Sequence, residues 1–252
     1  MDGVDQERWK RWIAIPSWPC PACQAGTYRI VFKTIQVTES RAERISQSDP
    51  SENHDDMVDR FVAHMKCDAP VCGETGTISG NRNTFRFWVP EEDDYQTEVS
   101  YEALSVIPSP LPFKIPPKVP RPIELKVREA ATLFWIDQKA AASRVREAVE
   151  AILTDFGIPE RNDKGGPLWL DTRIKLFREL DHGKWVEQAD LIEAAKWIGN
   201  LGTHDTVTRD EALDAFEMLE TVIEDVFVRA RHDVLARARE RNDKHRKPKL
   251  AE

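Results

Sequence analysis

The sequence predicts an α+β protein, a small N-terminal β domain followed by an all-α helical bundle. Three observations predict it. All four cysteines fall in two close pairs beside runs of aromatic and β-branched residues. Seven prolines crowd residues 107–122, which excludes helix and central strand there. From Ile123 onward, apolar residues recur at three- and four-residue steps. The expected divisions are a β domain with an acidic insertion over 1–106, a proline-rich linker over 107–122, a helical bundle over 123–230 and a basic tail over 231–252, helical or disordered. Each part is expected to own its core.

Composition limits the function. The chain has 252 residues, 40% hydrophobic and 32% charged. No apolar run approaches the ~18–20 residues that a membrane span needs. The N-terminal stretch is charged and lacks an apolar signal segment, so a cytoplasmic protein is expected. The net charge of −8 is uneven: residues 229–252 carry 9 basic against 4 acidic groups, and the rest is acidic. An acidic body argues against nonspecific wrapping of nucleic acid, while the basic tail leaves a local route to an anionic partner.

Trp9, Trp12 and Trp18 lead into Cys20 and Cys23, a CxxC. Tyr28–Val37 is rich in aromatic and β-branched residues, with Tyr28, Ile30 and Phe32 alternating with Arg29, Val31 and Lys33, and reads as a strand. Residues 39–60 are polar and acidic and read as an exposed insertion. Phe61–Lys66 and Thr84–Val89 read as two further strands, and Cys67 and Cys72 follow the first of these. Two short cysteine turns on neighbouring hairpins can supply four thiolates to one tetrahedral ion, so Cys20, Cys23, Cys67 and Cys72 are the expected ligands of a structural Zn²⁺. Two disulfides are disfavoured in a reducing compartment, and no βαβ pattern surrounds the CxxC to favour a redox role. His64 reads as a bystander, because four thiolates complete the shell. A closed shell leaves no position for a substrate, so this metal should stabilise and not catalyse.

The proline-rich linker is expected to run extended and to pack along the helices. The first helix covers 123–136 with Val127, Ala130, Ala131 and Phe134 inward. Ala141–Phe156 is the clearest amphipathic segment, with Val145, Ala148, Val149, Ile152, Leu153 and Phe156 on one face, ended by Gly157 and Pro159. Leu168–Leu180 and Trp185–Ile198 are the third and fourth helices. Thr208 and Glu211 form a capping-box pattern opening a fifth, with Ala212, Ala215, Phe216, Leu219, Ile223, Val226 and Phe227 inward.

Leu191–His204 holds the other candidate site. Its helix is expected to stop at Gly199-Asn200, since both residues tolerate positive φ. His204 follows, bringing an imidazole and a carboxamide beside a helix end. A helix stop with a surface or capping histidine explains the same residues without chemistry.

The pieces WPCPAC, CDAPVCGE, IPPKVP, SRVREAVEAIL and GNLGTH together resemble the bacterial domain of unknown function 4145 family, in which a zinc ribbon precedes a HEPN-like helical domain. The resemblance spans roughly residues 18–228. It implies RNA cleavage or RNA binding, a place in bacterial defence or toxin–antitoxin systems, and a dimer that brings two motifs together. HEPN nucleases are similar in pairing an Arg with a His after four to six intervening residues. A His can exchange a proton with the ribose 2′-OH or the leaving oxygen while a cation stabilises charge at phosphorus, with no metal required.

This chain departs from that pattern. Gly199, Ile198 and Trp197 stand where the Arg is expected. Lys196 lies one step further back and offers a point charge, not a bidentate fork. Arg146 on the best-formed helix can supply the guanidinium, or can pair with Glu150 four residues on. The expected function is therefore a non-catalytic interaction or dimerisation module. The alternative is a metal-independent RNase or RNA-binding protein using His204 as acid/base, Lys196 or Arg146 as electrostatic partner and Asn200 to position the site.

Overall fold

The computed structural model describes residues 17–41, 44, 56–91, 93–200, 206–228, 238 and 240–242. Trp9, Trp12, most of the acidic insertion, His204 and most of the basic tail lie outside the described residues.

The N-terminal half is an antiparallel sheet. Its strands are β1 (Ser17–Pro19), β2 (Thr27–Ile30), β3 (Gln36–Thr38), β4 (Asp56–Cys67), β5 (Thr75–Val89) and β6 (Asp94–Ile107), in the order β1-β2-β4-β5-β6 with β3 beside β2 on the same edge of β4. The expected strand over Tyr28–Val37 is broken by a 3₁₀ turn at Phe32–Thr34, where Phe32 is exposed. That turn moves the chain from pairing with Met65–Cys67 to pairing with Arg60–Val62. The expected strands at 61–66 and 84–89 are the C-terminal parts of longer ones, β4 starting at Asp56 inside the expected insertion and β5 at Thr75, and β6 was not expected at all. In β4, Phe61, Ala63, Met65 and Cys67 are buried while Val62, His64 and Lys66 face out, the period-2 pattern of a half-covered sheet. His64 thus lies on the face opposite Cys67.

The C-terminal half is helical: α1 (Arg121–Leu133), α2 (Gln138–Asp155), α3 (Leu170–Gly183), α4 (Val186–Asn200) and α5 (Arg209–Ile223), followed by a π turn at Glu224–Val228. α1 begins with Pro122 in its first turn, where the missing N–H costs nothing. α2 is N-capped by Asp137, which accepts from the Ala140 N–H at 2.9 Å, and Gly157 at φ +76 ends it. α3 loses helical geometry at Leu180, and Asp181 and His182 are left-handed. Thr208 and Glu211 form the expected capping box. The apolar stripes point inward as their spacing predicts, with Val127, Val145, Ala148, Ile152, Leu153, Ala212 and Ile223 at 0% exposure. Each fully buried Val, Leu or Ile contributes about 1.5–3 kcal/mol relative to exposure.

The two halves share one core, contrary to the expectation of two. Buried residues of the sheet, the proline-rich strap and the helices form one contiguous cluster. Leu111, Phe113, Ile115 and Val119 of the strap are buried within it, so the linker does pack as well as connect. Trp18 meets Trp135 at 5.0 Å between ring centroids, and Arg209 of α5 reaches Glu102 of β6 at 3.7 Å.

Candidate metal centre and helical site

The four cysteine Sγ atoms lie within 4.8 Å of one another. Cys20 faces Cys72 at 3.7 Å and Cys23 faces Cys67 at 3.8 Å. β1 delivers Cys20 and the turn before β2 delivers Cys23; Cys67 ends β4 and Cys72 sits in the β4–β5 turn. The pairing Tyr28↔Cys67 brings the two turns together. All four are free thiols, with Cys20 and Cys67 buried. Backbone amides point at the sulfurs: Gly26 N–H donates to Cys23 Sγ at 3.3 Å and Ala69 N–H to Cys67 Sγ at 3.4 Å. Such donors stabilise thiolates. The amides of Gly26 and Ala25 bring the Cys23 thiol down to about 6, whereas burial pushes Cys67 up to about 12. A side chain at position 26 would place Cβ 2.5 Å from Cys67 Sγ, so the close turn requires glycine. Four soft donors in one tight cluster, two of them buried, fit a single thiolate-preferring metal ion.

The two turns also differ at the left-handed position that follows each second cysteine. Gly73 follows Cys72 at φ +62, and Gln24 follows Cys23 at φ +53. The left-handed region costs a non-glycine residue about 1–2 kcal/mol. Gln24 holds it while its Oε1 accepts from the Ile115 N–H at 2.8 Å.

In the helical half, the fold joins two of the four candidate residues. Arg146 Nη1 on α2 donates to Asn200 Oδ1 on α4 at 3.0 Å. Arg146 also pairs with Glu150 at 3.3 Å, the i,i+4 contact its sequence position allows. α4 ends at Asn200, within the expected Gly199-Asn200 stop, while Gly199 itself stays helical. Its role is close approach, since a Cβ there would sit 3.0 Å from both Ala142 O and Arg146 Cβ. A cleft of about 430 Å³ opens beside this contact, lined by Asp137, Lys139, Ser143, Arg146, Gly199 and Asn200.

Lys196 lies elsewhere. It is 2% exposed, and its ammonium is bound to the Asp171 carboxylate at the start of α3 and lies over the Trp197 ring at 4.0 Å. Asp171 was not singled out in the sequence, because a partner 25 residues away leaves no local pattern. The same holds for Arg173, whose Nη2 donates to Glu150 O, Thr154 Oγ1 and Ile158 O and so closes the end of α2.

Comparison with known families finds two family models, one for each half of the chain. Residues 128–244 match the family model described as Domain of unknown function (DUF4145), and residues 11–105 match one described as Domain of unknown function (DUF8608). The resemblance read from the sequence is borne out over the helical half, while the cysteine half matches a model of its own. No curated protein and no solved structure matches the chain. Among the described residues, no helix is long and apolar enough to cross a membrane.

Proposed function

We propose, taking the match of residues 128–244 to the family of unknown function 4145 as the premise, that this is a non-catalytic interaction module, an accessory of bacterial defence or toxin–antitoxin type acting in the cytoplasm. The helical half is read as HEPN-like and as the dimerising or partner-binding part. The cysteine half is read as a ribbon closed by one structural Zn²⁺, the ion that four clustered thiolates favour. The observation that carries the reading is the commitment of both candidate cations: Lys196 is buried against Asp171, and Arg146 is held by Asn200 and Glu150. A phosphate would have to displace these partners before either cation could serve it.

The second reading, an RNase or RNA-binding protein, has one observation in its favour. Arg146 and Asn200 converge on an open cleft, and His204 follows Asn200 by four residues. An RNA cleavage assay on purified protein separates the two. The interaction reading expects no cleavage and a defined homodimer or protein complex by light scattering. Cleavage that disappears in His204→Ala, with folding retained, would replace it by the nuclease reading.

A further inference from the structure

We infer that Gln24 makes the first cysteine turn a fixed joint between the metal centre and the helical half, so that metal occupancy sets the packing of the strap at 111–119 and of α1. The inference rests on the metal reading above.

The turns supply two ligands each, yet only one is built from glycine at the left-handed position. Gly73 takes φ +62 with nothing within 4 Å of where its Cβ would be. Gln24 takes φ +53 with a full side chain. Glycine would meet the backbone requirement more easily, so turn geometry does not explain glutamine. Its side chain does: the amide oxygen spans 91 residues to accept the Ile115 N–H. Ile115 is buried, and the irregular strap offers that donor no ladder partner.

Two further contacts leave the same segment. Pro21 O, inside the CxxC, accepts from Arg128 Nη1 of α1 at 3.0 Å, and Arg128 is itself held by Glu124 at 2.8 Å. Trp18, two residues before Cys20, packs on Trp135 just past the end of α1. The second turn, Cys67–Gly73, makes no hydrogen bond to the strap or helices among the described residues. Its polar partners are in the sheet, as with Asp68 accepting the Thr27 N–H. The hydrogen-bonded coupling therefore runs through the first turn, while the second meets the helical half through the shared apolar core. A turn closed by its metal holds all three contacts together, and a turn that opens on metal loss releases them. By linkage the contacts must in return raise metal affinity.

The test uses the full chain under reducing conditions, loaded with Zn²⁺ or stripped by a chelator, followed by hydrogen exchange and by metal competition against a chromophoric chelator. In the parent, metal removal should speed exchange at 111–133 by about tenfold or more while α3 changes less. Gln24→Gly keeps the turn and all four ligands. It should still bind one Zn²⁺, with severalfold weaker affinity, and its strap should exchange fast even when loaded. Arg128→Ala should loosen α1 in the same way. A parent that binds Zn²⁺ but exchanges alike with and without it overturns the inference alone, as does a Gln24→Gly protein with parental affinity. A parent that binds no Zn²⁺ overturns the metal reading and the inference with it.

Discussion

Arg146 on α2 and Asn200 on α4 meet at 3.0 Å because Gly199, beside Asn200, presents no side chain to α2. The hydrogen bond and the close helix contact are one feature. Gly199→Val should therefore separate the helices, break the Arg146–Asn200 bond and destabilise the protein by about 1–3 kcal/mol despite the better helix propensity of valine. Urea unfolding of parent and variant checks this. An unchanged midpoint would mean that α2 yields without penalty.

Lys196 should prove structural. Lys196→Ala removes a buried aliphatic stem and leaves Asp171 unpaired, a loss of about 2 kcal/mol or more. Asp171→Asn should cost less, because the Lys196 stem stays buried and the asparagine oxygen can still accept from its ammonium. Comparable losses for both, by thermal melting, would assign the energy to the ion pair and not to the stem.

Cys67→Ser should abolish metal binding and also lower the melting temperature of the helices. The shared core is the reason: Trp18, Tyr28, Met65, Val127 and Phe134 belong to one buried cluster. Circular dichroism of the helical signal, with metal analysis, reads both effects. Helices that melt at the parental temperature would restore the picture of two independent cores.

In metal-free, reduced protein, the thiols should react in a fixed order. Cys23, brought to about 6, is largely thiolate at pH 7, while Cys67, pushed up to about 12, is not. Brief alkylation followed by peptide mass spectrometry should label Cys23 first and Cys67 last, and bound metal should protect both.

The capping box of α5 carries a pH signature. The Thr208 N–H, then its hydroxyl, hold the Glu211 carboxyl below its ordinary 4.5. Its folded pKa is depressed, so its contribution is full above about pH 4.5 and is lost as pH falls through the lowered folded value. Thr208→Ala should lower stability by about 1 kcal/mol at pH 7, and the gap from the parent should narrow in acid. A gap constant down to pH 3 would assign the cap to the threonine alone.

The helices were legible in the sequence because burial on one side writes a 3.6-residue period, as in Val145, Ala148, Val149 and Ile152. The cysteine cluster was legible because ligand spacing is local. β6 was not: its first half carries Asp94, Gln96 and Glu98, and both faces there are exposed, so no alternation forms. The first half of β5 was hidden by Gly76 and Gly80, residues that usually mark turns, and a register shift falls at Ser79/Gly80. The close-approach role of Gly199 was hidden, because sequence shows that a glycine tolerates odd dihedrals but not that another helix lies against it. The Lys196–Asp171 pair and the Gln24–Ile115 bond join residues too far apart to leave any pattern.

The order of strands in the sheet also has a consequence for assembly. β4, β5 and β6 are consecutive hairpins, and their pairing closes only short loops, which is fast. The cysteines that face each other are 52 and 44 residues apart, and Gln24 and Ile115 are 91 apart. Closing those longer loops costs more chain entropy before any contact rewards it. The three-stranded meander should thus form first, as a template already holding Cys67 and Cys72. The first cysteine turn arrives later, and the strap and α1 dock against it last. During synthesis the first pair of cysteines leaves the ribosome well before the pair it must meet, so Cys20 and Cys23 wait exposed for their partners.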